Sequence, residues 1–293
     1  MLKKTHCDTI KEGDNVIIGL GDSFTQGLGA YSLETWKAMA SPATYNISGQ
    51  YFVDEQGKNN WVSQLCHNHL PTYKRMNFGM NGAGNRATIS EMLLNPLPRN
   101  LGNVIVILMA TGAERFDFLK QSDETAGPEK HLRWQTIWPV ISDRGPISII
   151  EKEYLKQIWS TKNDALEFVL NVVNCQNFCR LNGYKFLFAS AFDPYIGKNG
   201  ITHELADRKQ FSELVDWDAQ ILPECAGPYK TFMNMVRQEE GVTTHLNQLE
   251  AREYYSKLDV PEKYITPCFH WSVEGVALVA KYLHGELLRR KMV

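Results

Sequence analysis

The chain has 293 residues, enough to bury a large hydrophobic core, and α/β folds of this length often form one domain. Its 33 acidic and 31 basic residues nearly cancel, and no long run of one sign occurs. This balance argues against a nucleic-acid-binding surface and against a polybasic membrane patch. The six cysteines lack the spacing of a disulfide scaffold or a zinc site, so we expect mostly reduced thiols.

The N-terminal segment 1–15 carries lysines but no apolar stretch of the kind found in signal peptides. The first apolar run, 16–20, is too short to span a bilayer. We therefore expect no membrane span, and a protein that is cytoplasmic or released without a signal peptide.

Strand-like and helix-like segments alternate along the chain. The apolar runs 16–20 and 104–109 are typical of buried strands, and we interpret 75–78 as a short second strand and 184–190 as a fourth. Helices are predicted from about residue 24, over 60–65, over about 151–181 with Gly183 as C-terminal cap, and directly after His270. This order predicts one domain over residues 1–293, a three-layer α/β/α sandwich with a central, mainly parallel sheet and a ligand site at the carboxyl ends of its strands.

Two stretches, about 117–150 and 195–260, are polar, aromatic and irregular, and we interpret them as insertions that shape the site or an interface. Their aromatic side chains, with that of Trp159, suit stacking on sugar rings or packing in a core, and both interpretations stay open. The other residues concerned are Trp134, Trp138, Tyr195, Trp217 and Tyr229.

Ser23 follows the first predicted strand on a tight turn. A serine becomes a nucleophile when a base takes its proton and hydrogen-bond donors await the oxyanion, so such a turn is a suitable place for one. A turn in which Asp22 or Ser23 merely caps the next helix has the same local pattern.

Four segments together resemble the sequence blocks of the SGNH (GDSL-like) hydrolases. They are 16–27 (VIIGLGDSFTQG), 61–65 (WVSQL), 77–85 (NFGMNGAGN) and 270–275 (HWSVEG). Their order and spacing match the family across nearly the whole chain. The resemblance implies an SGNH, flavodoxin-like fold and a serine hydrolase that works without a cofactor, cleaving an ester or related acyl bond through an acyl-enzyme.

Carried over residue by residue, the resemblance makes Ser23 the nucleophile and His270 its general base. It assigns the N–H groups of Ser23 and Gly79 to the oxyanion hole. The structural alternatives are that Gly79 is required only for backbone shape and that His270 is a hydrogen-bonded residue at a helix start.

The chain departs from the family pattern after the third strand, where the family has a Gly-x-Asn-Asp stretch. Here the segment 110–113 reads ATGA, which leaves Gly112 at the position of the Asn that donates to the oxyanion. Loss of one such donor typically lowers kcat by about 10²–10³-fold. Asn81, Asn85 and Thr111 are the candidates to replace it, and Asn81 is our tentative choice.

Thr111 and Arg115 are also our candidates for substrate binding. Arg115 lies four residues after Thr111 and would suit an anionic group of the substrate. For Arg115 we favour a salt bridge at the protein surface, and substrate binding is the tentative alternative.

The second departure concerns the acid that lies three residues before the family histidine, because Pro267 occupies that position. A backbone carbonyl can hold the imidazole in the required tautomer without a carboxylate. We therefore favour a Ser23–His270 dyad. The less favoured alternative is an orienting acid elsewhere, with candidates Asp193, Asp259 and Glu274.

We expect neither a metal site nor a cofactor. His67 and His69 are two positions apart on a predicted helix and point away from each other. Gly82 and Gly84 belong to no complete dinucleotide motif. Cys175 and Cys179 are predicted to face a core.

Three functions remain open after the sequence is read. The favoured function is an esterase, lipase-like enzyme or carbohydrate O-deacetylase acting on a small-molecule or carbohydrate ester. The main alternative is a catalytically decayed SGNH scaffold that binds a partner or has a structural role. Acyl transfer to an acceptor other than water would use the same residues.

Overall fold

The computed structural model describes residues 7–28, 30–32, 57–95, 97–113, 115–121, 132–137, 153–154, 156–157, 159–192, 197–225, 230–241, 253–257, 262–266 and 269–293. At its centre lie four parallel strands: β1 (Asn15–Gly21), β2 (Tyr73–Asn77), β3 (Val104–Ala110) and β6 (Lys185–Ser190). Their order across the sheet is β2-β1-β3-β6.

The site lies where the order of the strands reverses. After β1 the chain crosses to β2 on one side, then returns to β3 on the other side of β1. In a parallel sheet such a reversal opens a crevice at the carboxyl ends of the two central strands. Ser23 comes just after β1 and Thr111 just after β3, so both lie at this crevice.

Helices cover both faces of the sheet. Their bounds are α1 Ser23–Gln26, α2 Trp61–Asn68, α3 Asn85–Leu94, α4 Thr161–Leu181, α5 Lys198–Glu204, α6 Lys209–Ser212, α7 Phe232–Glu239 and α8 Val273–Arg289. Ile17 and Ile105 pack on one face with apolar residues of α2, α7 and α8. Ile18 and Val106 pack on the other face with apolar residues of α3 and α4. The predicted three-layer α/β/α fold is therefore confirmed.

The segment predicted as one helix over about 151–181 is divided: residues 153–154 and 156–157 are helical, and the long helix α4 begins at Thr161. Ser160 sets this start, because its Oγ accepts a hydrogen bond of 3.1 Å from the Asn163 N–H. At the other end Gly183 has a φ of 70°, as expected for a residue that follows a helix C-cap. Cys175 and Cys179 are fully buried in the core, as predicted.

Part of the stretch predicted to be irregular forms a regular hairpin-like pair. The strands β4 (Phe116–Gln121) and β5 (Leu132–Ile137) are antiparallel, with Asp117 opposite Thr136. Trp134 Nε1 donates to Glu91 Oε1 in α3 over 3.1 Å. The strand pair is thereby attached to the helix that follows the segment 77–85.

Within the described ranges, no helix is both long and apolar enough to cross a membrane, and no three His, Cys, Asp or Glu side chains are grouped so as to hold a metal ion.

Next to His67 in the chain, Cys66 is buried, and burial raises the pKa of its thiol to about 12. The His69 ring stacks on His284, with 4.9 Å between ring centroids.

Candidate active site

Ser23 is the first residue of α1 and is 6% exposed. Asp22 precedes it as the N-cap, and Asp22 Oδ1 accepts from the Phe24 N–H over 3.0 Å. The capping interpretation of this turn is thus correct for Asp22, and it leaves the Ser23 hydroxyl available for another contact.

That contact is with His270, which lies 247 residues later in the chain. His270 Nε2 is 2.8 Å from Ser23 Oγ. With its proton on Nδ1, the imidazole accepts the serine proton at Nε2. The ring also packs on Phe24, with 4.8 Å between centroids. The structure therefore brings the predicted nucleophile and base into hydrogen-bond contact.

The backbone of His270 is held by the preceding turn. The Thr266 N–H and hydroxyl both donate to the His270 carbonyl, over 2.9 and 3.0 Å. Phe269 has a φ of 60°, in the left-handed region that side chains disfavour. Immediately afterwards Ser272 caps α8, with its Oγ accepting from the Gly275 N–H over 3.1 Å. These contacts fix the direction in which the imidazole leaves the chain.

Glu240, at the end of α7, holds the start of the same turn. Its Oε1 accepts from the N–H groups of Tyr264 and Ile265 over 2.7 and 2.8 Å, and its Oε2 accepts from the Tyr255 hydroxyl over 2.9 Å. Burial raises the pKa of the Glu240 carboxyl, and these three hydrogen bonds oppose the rise. The sequence offered no signal for this residue.

Gly79 is required for close packing. A Cβ atom at Gly79 would lie 2.3 Å from the backbone nitrogen of Gln26 in α1. The Gly79 N–H donates to Asn77 Oδ1 over 2.8 Å, while Asn77 Nδ2 donates to the Thr25 carbonyl over 2.7 Å. The structural interpretation of Gly79 has this direct support, and its oxyanion role stays a prediction.

Three backbone N–H groups in the described part of the chain are available to donate to an oxyanion. In the part of the chain that the structure describes, the N–H groups of Ser23, Asn81 and Gly82 have no hydrogen-bond acceptor. The turn 80–84 starts beside β1, because the Met80 N–H donates to the Gly21 carbonyl over 3.0 Å. The Asn81 side chain is exposed, and its tentative oxyanion role also stays a prediction.

At the end of β3, Thr111 and Asn85 are hydrogen-bonded to each other. Asn85 Oδ1 accepts from the Thr111 N–H over 2.9 Å, and both residues are buried. Gly112 is buried too, and its carbonyl accepts from the Arg115 N–H over 3.3 Å. Substrate binding by Thr111 stays a prediction.

Arg115 forms a salt bridge, but in the interior rather than at the surface. Its Nη1 is 2.7 Å from Asp22 Oδ2, and the two side chains are 2% and 0% exposed. The same nitrogen donates to the Ala83 carbonyl over 2.8 Å, and the guanidinium lies over the Phe192 ring at 5.3 Å. The expectation of a surface ion pair was therefore wrong. Burial raises the pKa of the Asp22 carboxyl, and the positive charge of Arg115 opposes this.

Asp117 is a second interior carboxylate that sequence reasoning missed. It lies in β4, and its two oxygens accept from the N–H groups of Gly84 and Ala87, each over 2.9 Å. The Thr136 hydroxyl donates to Asp117 Oδ1 over 2.5 Å. Burial raises the pKa of this carboxyl against the effect of those bonds.

The structure says less about the other residues that the sequence analysis named. Glu274 is exposed in the first turn of α8, and its carboxylate accepts from Ser272 Oγ over 3.3 Å. Asp193, Asp259 and Pro267, and the aromatic residues Trp138, Tyr195 and Tyr229, lie outside the described residues. The indole nitrogens of Trp159 and Trp217 donate to Asp164 Oδ2 and to the Ser212 carbonyl, respectively.

No protein-family model and no curated protein matches this chain. Solved structures do match along most of its length. One match is a protein described as lipolytic, of the G-D-S-L family, from Desulfitobacterium hafniense DCB-2, with 12% identity, coverage of 93% of this chain and 99% of that one, and a TM-score of 0.37.

A carbohydrate esterase matches at 13% identity over 95% of this chain and 69% of its own, with a TM-score of 0.42. A variant of an acetyl xylan esterase from Geobacillus stearothermophilus matches at 13% identity over 95% and 96%, with a TM-score of 0.33. At these identities and TM-scores the matches are similarities only, and the reaction has to be inferred from the site.

Proposed function

We propose that this chain is a serine hydrolase of the SGNH type that cleaves an ester or a related acyl bond. The observation that carries the proposal is the 2.8 Å contact between His270 Nε2 and Ser23 Oγ at the carboxyl end of the central strand. A hydroxyl on a tight turn with an imidazole in hydrogen-bond contact is the arrangement that nucleophilic acyl transfer requires.

The reaction follows from these two side chains. Ser23 Oγ attacks the acyl carbonyl carbon while His270 Nε2 takes its proton, and the carbonyl oxygen becomes an oxyanion. The tetrahedral intermediate collapses, the alcohol leaves with the proton from His270, and an acyl-enzyme remains. A water molecule, deprotonated by His270, then releases the acid and restores Ser23.

The oxyanion would be stabilised mainly by backbone donors. The Ser23 N–H and an N–H of the turn 80–82 have no acceptor in the described part of the chain, so they can bind a ligand oxygen without breaking an existing bond. With glycine at position 112, no side-chain donor arises there. The substrate class that we propose is a small-molecule or carbohydrate ester.

Covalent labelling with a fluorophosphonate tests this function. The wild type should be modified at Ser23, and Ser23→Ala should abolish both labelling and hydrolysis of p-nitrophenyl acetate above background. His270→Ala should lower kcat by about 10⁴-fold or more, because the serine then lacks its base. Ser256→Ala and His69→Ala, at exposed or half-exposed positions, serve as matched controls and should keep full activity.

The pH dependence gives a second readout. The neutral imidazole is the active form, so kcat/KM should rise with pH as His270 loses its proton, and this rise should vanish in His270→Ala. Absence of labelling in a folded wild type would favour the decayed scaffold, whereas labelling at another residue would refute the assignment of Ser23.

A further inference from the structure

Two buried ionic side chains at the start of β4, those of Arg115 and Asp117, contact the turns that carry the candidate oxyanion donors. Arg115 directly precedes β4, and Asp117 is its second residue, so the two are separated by one position and extend to the same side of the strand. Neither belongs to a segment that resembles the SGNH blocks. Arg115 nevertheless contacts Asp22 and Ala83 within those blocks, and Asp117 contacts Gly84 and the following helix at Ala87.

Arg115 joins the two turns through a single nitrogen. Its Nη1 contacts Asp22, the residue before Ser23, and also the carbonyl of Ala83, in the turn 80–84. The first residue of that turn is already tied to β1 through the bond from the Met80 N–H to the Gly21 carbonyl. Arg115 therefore fixes the far end of the turn against the nucleophile turn.

Asp117 holds the next part of the same segment. It accepts from the N–H groups of Gly84 and Ala87, at the start of α3, where Gly84 as N-cap has no side chain of its own to do so. Arg115 and Asp117, two positions apart in the chain, thus hold the turn 80–84 at Ala83 and at Gly84. The N–H of Gly82 lies within the fixed segment and has no acceptor among the described residues.

We propose that Arg115 is a positioning residue for acyl transfer: it sets the distance between the N–H of Ser23 and the N–H groups of Asn81 and Gly82, which stabilise the oxyanion. The proposal rests on the function proposed above. Because Gly112 supplies no side-chain donor, the stabilisation depends on backbone donors, whose separation depends on what joins their turns. A displacement of about 1 Å at such a site can lower the rate about 10²-fold.

The deciding variant replaces both ends of the pair, as Asp22→Asn with Arg115→Met. Removing Arg115 alone would leave a buried carboxylate without its counter-charge and endanger folding, whereas the double variant buries no charge. Asn is also a good N-cap, so α1 keeps its cap. We expect kcat for p-nitrophenyl acetate and the fluorophosphonate labelling rate to fall by about 10²-fold, with KM little changed.

The matched control makes the same two changes at a second Asp–Arg ion pair, between Asp8 and Arg75 of β2, as Asp8→Asn with Arg75→Met. That ion pair spans 3.2 Å and is about one-third exposed on both sides. Both double variants should show the circular dichroism of the wild type, and the control should keep its kcat. A loss of kcat of equal size in the control would show that the effect is one of general stability and would overturn the proposal.

Three further outcomes also test the positioning role of Arg115. Full kcat in the folded Asp22→Asn, Arg115→Met variant would overturn the positioning role, and a raised KM with unchanged kcat would make Arg115 a substrate-binding residue instead. Should this variant not fold, Arg115→Lys replaces it. Its ammonium has a shorter reach and lacks the planar fork, so kcat should fall about tenfold, and full kcat would refute the proposal. A wild type without labelling at Ser23 would refute the proposed function itself.

Discussion

Gly79 and Gly82 lie three residues apart in one turn and are glycines for different reasons. At Gly79 an added Cβ would meet the backbone nitrogen of Gln26 at 2.3 Å. At Gly82 an added Cβ would meet nothing within 4 Å, but φ is 73°. The first glycine is required by packing against a backbone that cannot rotate away, and the second only by conformation.

Alanine substitutions at these two positions should therefore differ in cost. Gly79→Ala has to displace α1 from the turn and should lower the free energy of unfolding by about 3 kcal/mol. Gly82→Ala should cost about 1 kcal/mol, the strain of a left-handed conformation. Urea denaturation of both variants measures the difference. Equal costs, or a larger cost for Gly82→Ala, would contradict the role of packing at Gly79.

The sequence pointed to Ser23 and His270 through the blocks 16–27 and 270–275, which resemble those of a known family. The local patterns alone, a turn after a strand and a histidine at a helix start, fit structural roles as well. The contact of Arg115 with Asp22 spans 93 residues and follows from the pairing of β1 with β3. The bond from the Gly79 N–H to Asn77 depends on one side-chain rotamer, and no residue pattern predicts that.

At the scale of elements, the pair β4–β5 supplies the cap that α3 lacks. The N–H groups of Gly84 and Ala87 would otherwise be unsatisfied at a buried helix start, and both donate to Asp117. Thr136 in β5 donates to the same carboxylate. The stability of α3 thus depends on a strand pair about 30 residues later in the chain.

Asp117→Ala should consequently destabilise the protein far more than loss of an ordinary cap. Two buried N–H groups lose their acceptor at once, which we expect to cost about 3 kcal/mol. Asp117→Asn keeps one acceptor oxygen and should cost less. Asp14→Ala, where the carboxylate accepts from the exposed Lys11 N–H, is the control and should cost under about 1 kcal/mol. Urea denaturation with equal midpoints for Asp117→Ala and Asp14→Ala would refute this dependence.

The two central strands, β1 and β3, could be predicted because each is an apolar run that is buried on both faces. The segment 104–109, for example, matches β3 almost residue for residue. β4 and β5 were not predicted, since an antiparallel pair is defined by its register, and the alternation of Phe116, Asp117 and Phe118 is too short to stand out. The start of α4 depended on a single cap, Ser160, inside a longer helical pattern.

At the scale of the whole molecule, the candidate site combines a residue from the first part of the described chain with one from its last part. Ser23 comes from β1, and His270 precedes α8, which packs on α2 and on the same face of the sheet as Ile17. The proximity of the two residues is a consequence of the strand order and of the layers. Glu240 contributes from a third region, by holding the turn that leads to His270.

The half-buried Glu240 should make the stability of the whole protein depend on pH in a defined direction. Its pKa is raised in the folded state, chiefly by burial, so the folded protein holds this proton more readily than the unfolded chain. The contribution of Glu240 is therefore most favourable below the ordinary carboxyl pKa of 4.5 and decreases as pH rises through the raised value. Glu240→Gln cannot ionise but keeps an oxygen for the N–H groups of Tyr264 and Ile265.

We expect the Tm of the wild type minus that of Glu240→Gln to decrease as pH rises from about 4 to about 7. Taking the difference removes the titration of all other groups, including the buried Asp22 and Asp117. Glu239→Gln, at the exposed neighbouring position, is the control, and its Tm difference should change less over this range. The measurement is thermal unfolding in buffers of equal ionic strength. A difference that grows with pH would mean that the three hydrogen bonds to Glu240 outweigh its burial, so that the carboxylate rather than the acid is the form that the fold stabilises.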